Sequence, residues 1–145
     1  MLSSLAIASK SHWGYAEEQL EAWRQDLTVT PTDIHSAAAA YVAASGCEVL
    51  GYYLITADEP HWRLEHLWVA THCMGTGIGR ALLTHAAVIA RQAGAVALAI
   101  DADPNAEPFY LARGASRVGA IAAPIDGSPR RERPQLLLNL VAFRA

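Results

Sequence analysis

Two segments of the chain repeat apolar residues at the three- and four-residue steps of a helix face. The first predicts a helix that ends before Pro31, and its stripe consists of Ala16, Leu20, Trp23 and Leu27. The second predicts a helix over 78–92 that ends at Gly94, and its stripe consists of Ile78, Leu82, Ala86 and Ile89. A shorter helix is expected near 2–9, so the chain should begin with two helices.

Other segments are rich in β-forming residues and are separated by turn signals, which predicts strands. The run 37–44 is ambiguous between helix and strand, but the turn signal Ser45-Gly46 and the strand-like run 47–56 indicate a hairpin. A turn over Asp58-Glu59-Pro60 then leads to a strand over 63–69.

The second half of the chain alternates strand and helix signals. The continuous apolar run 96–100, closed by Asp101, is typical of a strand buried on both faces. A short helix over 106–113 should stop at Gly114, and strands over 117–121 and 136–141 should complete the sheet, with a surface loop over 124–134 between them. This order predicts one α/β (α+β) domain over residues 1–145: a mixed sheet, mostly antiparallel with one parallel crossover, flanked by helices.

Composition narrows the class of protein. The formal charge of -3 is spread along 145 residues, and no Lys/Arg cluster interleaves with aromatic residues, so a nucleic-acid partner is not expected. No apolar run is long enough to span a bilayer, and the first residues lack the basic region of a signal peptide. Cys47 and Cys73 lack metal-ligand or redox spacing. We therefore expect a cytoplasmic protein without membrane contact.

Three glycines at alternate positions, Gly75, Gly77 and Gly79, lie between a predicted strand and a predicted helix. The free N–H groups and positive dipole of a helix start favour an anion there, and Arg80 adds a charge. The glycines alone are equally compatible with a tight turn. A dinucleotide-binding fingerprint does not fit, because its third glycine would fall on Arg80 or Leu82.

The segment that contains these glycines resembles the GNAT acyltransferases. The signature of that family, Gln/Arg-x-x-Gly-x-Gly/Ala, opens a helix directly after a strand. Gly77 and Gly79 match the signature, while Met74 stands where the family most often has Gln or Arg. The resemblance implies acetyl-CoA as cosubstrate and no metal. It also implies cofactor contacts from Leu67, Trp68, Val69, Met74, Gly75, Thr76, Gly77, Ile78, Gly79 and Arg80.

A second segment, 103–115, is similar to the family segment in which an Asn is followed by a Phe-Tyr pair and then by Gly-Phe. Asn105, Phe109, Tyr110 and Gly114 match it, and Ala115 replaces the last Phe. The resemblance implies that Asn105 and Phe109 bind the cofactor and that Tyr110 both binds it and protonates the departing thiolate. A phenol with a pKa of about 10 is protonated at neutral pH and suits that role.

An attacking amine also needs a base, and the strand over 63–69 offers candidates. Glu65 is the first choice and His66 the second, with His72 a distant third. Strict alternation would place Glu65 on the face of Leu67 and Val69, and His66 on the opposite face.

The acceptor is expected to be a primary amine, on a small molecule or on a protein. The ring cluster His12-Trp13-Gly14-Tyr15, together with His66, is expected to line the acceptor pocket, and packing in the core is the alternative role for the ring cluster. The family usually begins with a strand before its first helix, and here either that strand is missing or the chain begins late. A missing strand would uncover the edge of its neighbour, which predicts a homodimer. A module that binds acyl-CoA without catalysis, or that regulates, is the alternative function.

Overall fold

The computed structural model describes residues 1–58 and 61–145. Of the predicted turn at 58–60, Glu59 and Pro60 lie outside the described residues. The strands are β1 (Ala39–Ser45), β2 (Glu48–Thr56), β3 (Trp62–Val69), β4 (Ala97–Asp101), β5 (Ser116–Ala122) and β6 (Glu132–Asn139). The helices are α1 (Leu2–Ser11), α2 (Glu17–Ala22), α3 (Arg24–Leu27), α4 (Pro31–Ser36), α5 (Ile78–Gln92) and α6 (Glu107–Ala112), with a 3-10 turn at Thr71–Cys73.

The six strands form one sheet in the order β1-β2-β3-β4-β6-β5. All neighbours are antiparallel except β3 and β4, which are parallel and are connected by the crossover through α5. This confirms the predicted fold class. The main core lies between the sheet and α5, where Leu83 and Ala86 pack against Tyr53 and Leu98. A smaller core with Ala6, Leu27 and Tyr52 lies beneath α1 and α3.

The helix α5 spans the predicted residues 78–92, and Gly94 follows it with a φ of +98°. The first helical stripe is instead divided into α2 and α3, because the chain turns at Trp23. The prediction of one continuous helix there was wrong. The short helix α4 was not predicted, although Thr30 and Asp33 close a capping box around Pro31 at its start.

The last strand also differs from the prediction. β6 begins at Glu132 and ends at Asn139, so it includes Pro134, which the sequence placed in a surface loop. The carbonyl of Pro134 accepts a hydrogen bond from the N–H of Ala102 at 3.0 Å. A proline keeps its acceptor while lacking a donor, and this position uses only the acceptor.

Two irregularities in β3 shape the surroundings of the site. β3 and β4 pair through Trp62 with Leu98 and through Arg63 with Ala99, and across the described residues they share no further ladder pair. From Leu64 onward this edge of β3 is therefore open. The β2–β3 register shifts between Leu54 and Ile55, so that Glu65 is an extra residue in β3.

Within the part of the chain that the structure describes, no helix combines the length and the apolar character that crossing a membrane requires.

Candidate active site

A cavity of about 530 Å³ lies where the open edge of β3, the start of α5 and the helix α6 meet the end of α1. We call it the glycine-loop cavity. Most of the residues predicted to bind a cofactor line it: Leu67, Trp68, Val69, Met74, Gly75, Gly77, Gly79, Arg80, Asn105, Phe109 and Tyr110. Thr76 and Ile78 are not among its lining residues, because the Thr76 hydroxyl bonds to the Cys73 carbonyl and Ile78 packs against the core.

The glycine loop has a backbone that other residues rarely adopt. Gly75 and Gly77 have φ values of +79° and +93°, and Gly77 directly precedes α5. The Gly77 carbonyl accepts the first helical hydrogen bond, from the N–H of Ala81 at 3.0 Å. The N–H groups of residues 78–80 therefore have no partner within the helix. Together with the helix dipole they form a site suited to phosphate.

Gly79, in the first turn of α5, lies close to the other walls of the cavity. A Cβ on Gly79 would lie 3.5 Å from the Phe109 ring and 3.5 Å from Cγ2 of Val69. These distances are ordinary van der Waals contacts, and they show that α5, α6 and β3 converge on the same space.

The cavity also contains a cation that the sequence did not single out. Arg113, at the end of α6, lines the glycine-loop cavity, and its Nε is buried without a hydrogen-bond partner among the described residues. A buried donor without a partner is costly unless a ligand satisfies it. Arg113 and the exposed Arg80 both fit a phosphorylated cofactor such as coenzyme A.

Tyr110 is largely buried in the wall of this cavity, with 7% of its surface exposed. Burial raises the pKa of its hydroxyl well above the ordinary 10.0, because the phenolate would lose its hydration. Among the described residues, the side-chain hydrogen bonds of tyrosine are made by Tyr15 and Tyr53, and none is made by Tyr110. Tyr110 is therefore a protonated group that faces the cavity with its proton uncommitted.

A second cavity, of about 530 Å³, lies on the other side of Trp68, which lines both. We call it the charged cavity. Four cationic and four carboxylate side chains line it: Lys10, Arg63, Arg131, Arg133, Asp26, Glu65, Asp101 and Asp103. Both candidate bases, Glu65 and His66, belong to this cavity and not to the glycine-loop cavity.

The extra residue in β3 changes the predicted faces. Leu67 and Val69 pack against the main core, whereas Glu65 lines the charged cavity together with His66. The prediction that Glu65 shares a face with Leu67 and Val69 was therefore wrong, because the bulge interrupts the alternation that it assumed. The bulge brings the two candidate bases to one cavity.

The two candidates differ in their available lone pairs. Glu65 accepts hydrogen bonds at Oε1 from Thr56 Oγ1 at 3.1 Å and from Arg63 Nε at 3.2 Å, which leaves Oε2 free of partners among the described residues. His66 accepts at Nδ1 from Trp68 Nε1 at 3.2 Å. Burial lowers the pKa of His66 although Glu65 and Asp33 oppose this, so the ring is neutral and carries its proton on Nε2.

A network of charged and aromatic side chains closes the inner end of the charged cavity. Oδ2 of Asp103 lies 2.5 Å from Lys10 Nζ and 3.5 Å from Arg131, and it accepts a hydrogen bond from the Tyr15 hydroxyl at 2.9 Å. The Trp23 ring lies beneath both cations, 4.5 Å from Lys10 Nζ and 5.1 Å from the Arg131 guanidinium carbon. We call these five residues the Asp103 cluster.

Asn105 connects this cluster to the glycine-loop cavity. Its Nδ2 donates to the Tyr15 hydroxyl at 3.1 Å and to Asp103 Oδ1 at 3.0 Å. Tyr15 thus belongs to the Asp103 cluster, whereas His12 and Trp13 line the glycine-loop cavity. The predicted ring cluster is therefore divided between the glycine-loop cavity and the Asp103 cluster, and Tyr15 itself lines neither of the two cavities. His72, at the 3-10 turn, is an exposed partner of Glu48.

Over residues 1–58 and 61–145, no cluster of three His, Cys, Asp or Glu side chains has a geometry that could hold a metal ion.

Comparison with protein families agrees with the resemblance found in the sequence. Residues 12–121 match the family model described as an acetyltransferase (GNAT) domain. No curated protein matches the chain significantly.

Many solved structures share the fold. A GCN5-related N-acetyltransferase from Rhodopseudomonas palustris is 22% identical with a TM-score of 0.76, covering 95% of this chain and 87% of that one. The PaiA N-acetyltransferase from Thermoplasma acidophilum, in complex with coenzyme A, is 17% identical with a TM-score of 0.71, covering 95% and 90%. An IAA acetyltransferase from Bacillus cereus ATCC 14579 is 21% identical with a TM-score of 0.67, covering 96% and 92%.

Proposed function

The chain belongs to the GNAT acetyltransferase family, and from that premise we propose that it is an N-acetyltransferase. It transfers the acetyl group of acetyl-CoA to a primary amine by direct attack within a ternary complex. The observation that carries the proposal is the shared wall of one cavity, in which the glycine loop, the open edge of β3 and Tyr110 face the same space.

The cofactor is assigned to the glycine-loop cavity. The N–H groups of residues 78–80 bind the pyrophosphate, and Arg80 and Arg113 supply positive charge near it. The open edge of β3 along 67–69 has backbone groups without a partner strand, and these hold the pantetheine arm beside Asn105. Acetyl-CoA supplies the activated acyl group, and the chain orients it.

Met74 lines the cavity at the position where the resemblance predicts Gln or Arg. Its thioether donates no hydrogen bond, so the backbone N–H groups and the two arginines bind the phosphates without help from this side chain. We therefore expect Met74 to weaken the binding of the cofactor without abolishing it.

Tyr110 is proposed as the acid. Its hydroxyl keeps its proton because burial raises its pKa, and it faces the cavity without another acceptor. A thiolate leaving group takes that proton as the bond to the acetyl carbon breaks.

Glu65 is proposed as the base, directly or through a water molecule. The free Oε2 of Glu65 has a lone pair available, while the Nδ1 lone pair of His66 is engaged by the Trp68 N–H. His66 therefore acts in positioning Trp68, the residue that lines both cavities. His12 and Trp13 are proposed to cover the thioester end of the cofactor.

The contrasting function is a module that binds acyl-CoA and does not catalyse, for which the apolar Met74 is the specific observation. Calorimetry with acetyl-CoA, followed by a screen of amines for release of free thiol, separates the two functions. Binding together with acetylation of at least one amine supports the enzyme. Binding without acetylation of any amine in a broad panel supports the module, and absence of binding contradicts both.

A further inference from the structure

The Asp103 cluster contains two cations for one carboxylate, and all three side chains are buried. The exposed side-chain fractions are 12% for Lys10, 7% for Arg131 and 7% for Asp103. A buried charge without a partner is strongly unfavourable, so a surplus cation at this depth favours the binding of an anion.

The hydrogen bonds of the cluster also show more donor groups than available acceptors. Asp103 is saturated, because Oδ1 accepts from the N–H and the Nδ2 of Asn105 while Oδ2 accepts from Tyr15 and Lys10. Arg131 donates to the Ala123 carbonyl at 3.1 Å and to the Tyr15 hydroxyl at 3.2 Å. Its Nε is buried without a hydrogen-bond partner among the described residues.

The other cations of the charged cavity are already balanced. Arg133 forms two hydrogen bonds with Asp101, at 2.9 and 3.0 Å, and Arg63 pairs with Glu65 at 3.2 Å. The remaining carboxylate, Asp26, is exposed, where water screens its charge. The inner end of the cavity, where Lys10 and Arg131 share Asp103, therefore has a net positive charge. The other carboxylates, Asp26, Glu65 and Asp101, lie nearer to solvent.

We propose that the charged cavity selects acceptors that carry a carboxylate in addition to the amine, as amino acids do. The carboxylate binds between Lys10 and Arg131, and the amine lies toward Glu65. A single negative charge matches the single surplus positive charge, which favours a carboxylate over a phosphate dianion. The inference rests on the proposed function, because it assigns the acceptor to this cavity.

The test measures equilibrium binding to the protein saturated with coenzyme A, which binds but cannot transfer an acetyl group. The probes are a panel of L-amino acids, each paired with its carboxamide, so that the two members of a pair differ only in the carboxylate. We expect at least one amino acid to bind about 10-fold or more tightly than its amide. The Arg131→Gln variant should lose that difference.

The Arg131→Lys variant should keep part of the difference, because it retains the charge and loses the planar fork. Arg117→Gln, which removes an exposed cation outside the cavity, should keep all of it. Calorimetry with coenzyme A verifies that each variant is folded.

Equal binding within every pair, or no binding by any amino acid, overturns the inference. This result is distinct from failure of the proposed function, in which amino acids bind with the expected difference and no amine is acetylated. If amines that lack a carboxylate are acetylated and no amino acid binds, the proposed acetyltransferase function stands and the proposed carboxylate site is rejected.

Discussion

The Tyr15 hydroxyl donates a hydrogen bond of 2.9 Å to Oδ2 of Asp103 and thereby joins the segment after α1 to the segment before α6. The Tyr15 hydroxyl oxygen in turn accepts hydrogen bonds from Asn105 and Arg131. One phenol thus connects residues from both cavities and from the loop that follows β5.

Replacement of Tyr15 by Phe should lower the free energy of unfolding by about 1–2 kcal/mol, because Arg131 and Asp103 each lose a partly buried partner. Urea denaturation measures this change. The matched control is Tyr41→Phe, since Tyr41 is 46% exposed and its hydroxyl bonds to none of the described residues. Its effect should stay below about 0.5 kcal/mol. Equal losses in the two variants would contradict the network as described.

Replacement of Tyr110 by Phe should lower kcat by about 10²–10⁴-fold, because the leaving thiolate then has no proton donor. The dissociation constant for acetyl-CoA should change little, since the ring remains in the cavity wall. Steady-state kinetics at saturating substrate and calorimetry measure the two quantities.

Tyr52→Phe is the control for this experiment. Tyr52 is also a buried tyrosine, with a hydroxyl that has no hydrogen-bond partner among the described residues, but it lies outside the glycine-loop cavity. Its kcat should stay near the original value. An unchanged kcat in Tyr110→Phe would remove Tyr110 from the mechanism.

Replacement of Gly77 by Ala should weaken both the fold and the binding of acetyl-CoA. Its φ of +93° costs a residue with a Cβ about 1–2 kcal/mol, and relaxation of that strain displaces the N–H groups at the start of α5. We expect about a 10-fold or greater rise in the dissociation constant, measured by calorimetry.

Gly46 provides the comparison for Gly77, because it also has a positive φ, of +60°, but lies in the β1–β2 turn. Gly46→Ala should lose a similar amount of stability while acetyl-CoA binding is retained. Weakened binding in both variants would attribute the effect to general destabilisation and not to the glycine loop.

The stability of the protein at acid pH should depend on Asp103. Burial alone would raise its pKa, but the hydrogen bond and the charge of Lys10, together with Asn105 and Tyr15, lower it below the ordinary 3.8. A carboxyl group whose folded-state pKa is depressed contributes stability that is complete above the unfolded-state value. That contribution is lost as the pH falls from about 4 through the folded-state pKa.

Two variants test this dependence by urea denaturation between neutral and acid pH. Asp103→Asn removes the titrating group and should flatten the acid limb of the stability curve. Lys10→Met removes the partner that opposes desolvation, so the loss of stability should begin at higher pH. Identical acid limbs in all three proteins would show that Asp103 does not govern this region.

The sequence correctly predicted the helices and strands whose bounds are set by residues within them or directly beside them. The apolar stripe and the bounding glycines define α5, and the continuous apolar run defines β4 within one residue. The division at Trp23 between α2 and α3 was not predicted, because it interrupts a stripe whose spacing still fits one helix. The capping box at Thr30 was a local signal that would have revealed α4.

The residues of the glycine-loop cavity were predictable because most of them lie in two short segments with recognisable spacing. The charged cavity was not, because Arg131 is buried only when a loop folds over Tyr15 and Trp23. The position of Glu65 depended on a bulge, and a bulge is determined by the pairing of two strands and not by one. Burial and register are tertiary properties without a local pattern.

The Asp103 cluster joins parts of the chain that are far apart in sequence. Lys10 and Asp103 are separated by 93 residues, and Tyr15 and Arg131 by 116. Closing such long loops costs entropy that is recovered only after the intervening elements have formed. The glycine-loop cavity draws most of its wall from residues 67–113. We therefore expect the glycine-loop cavity to become ordered earlier in folding. The charged cavity should form only after the segments around Lys10 and Arg131 are both in place.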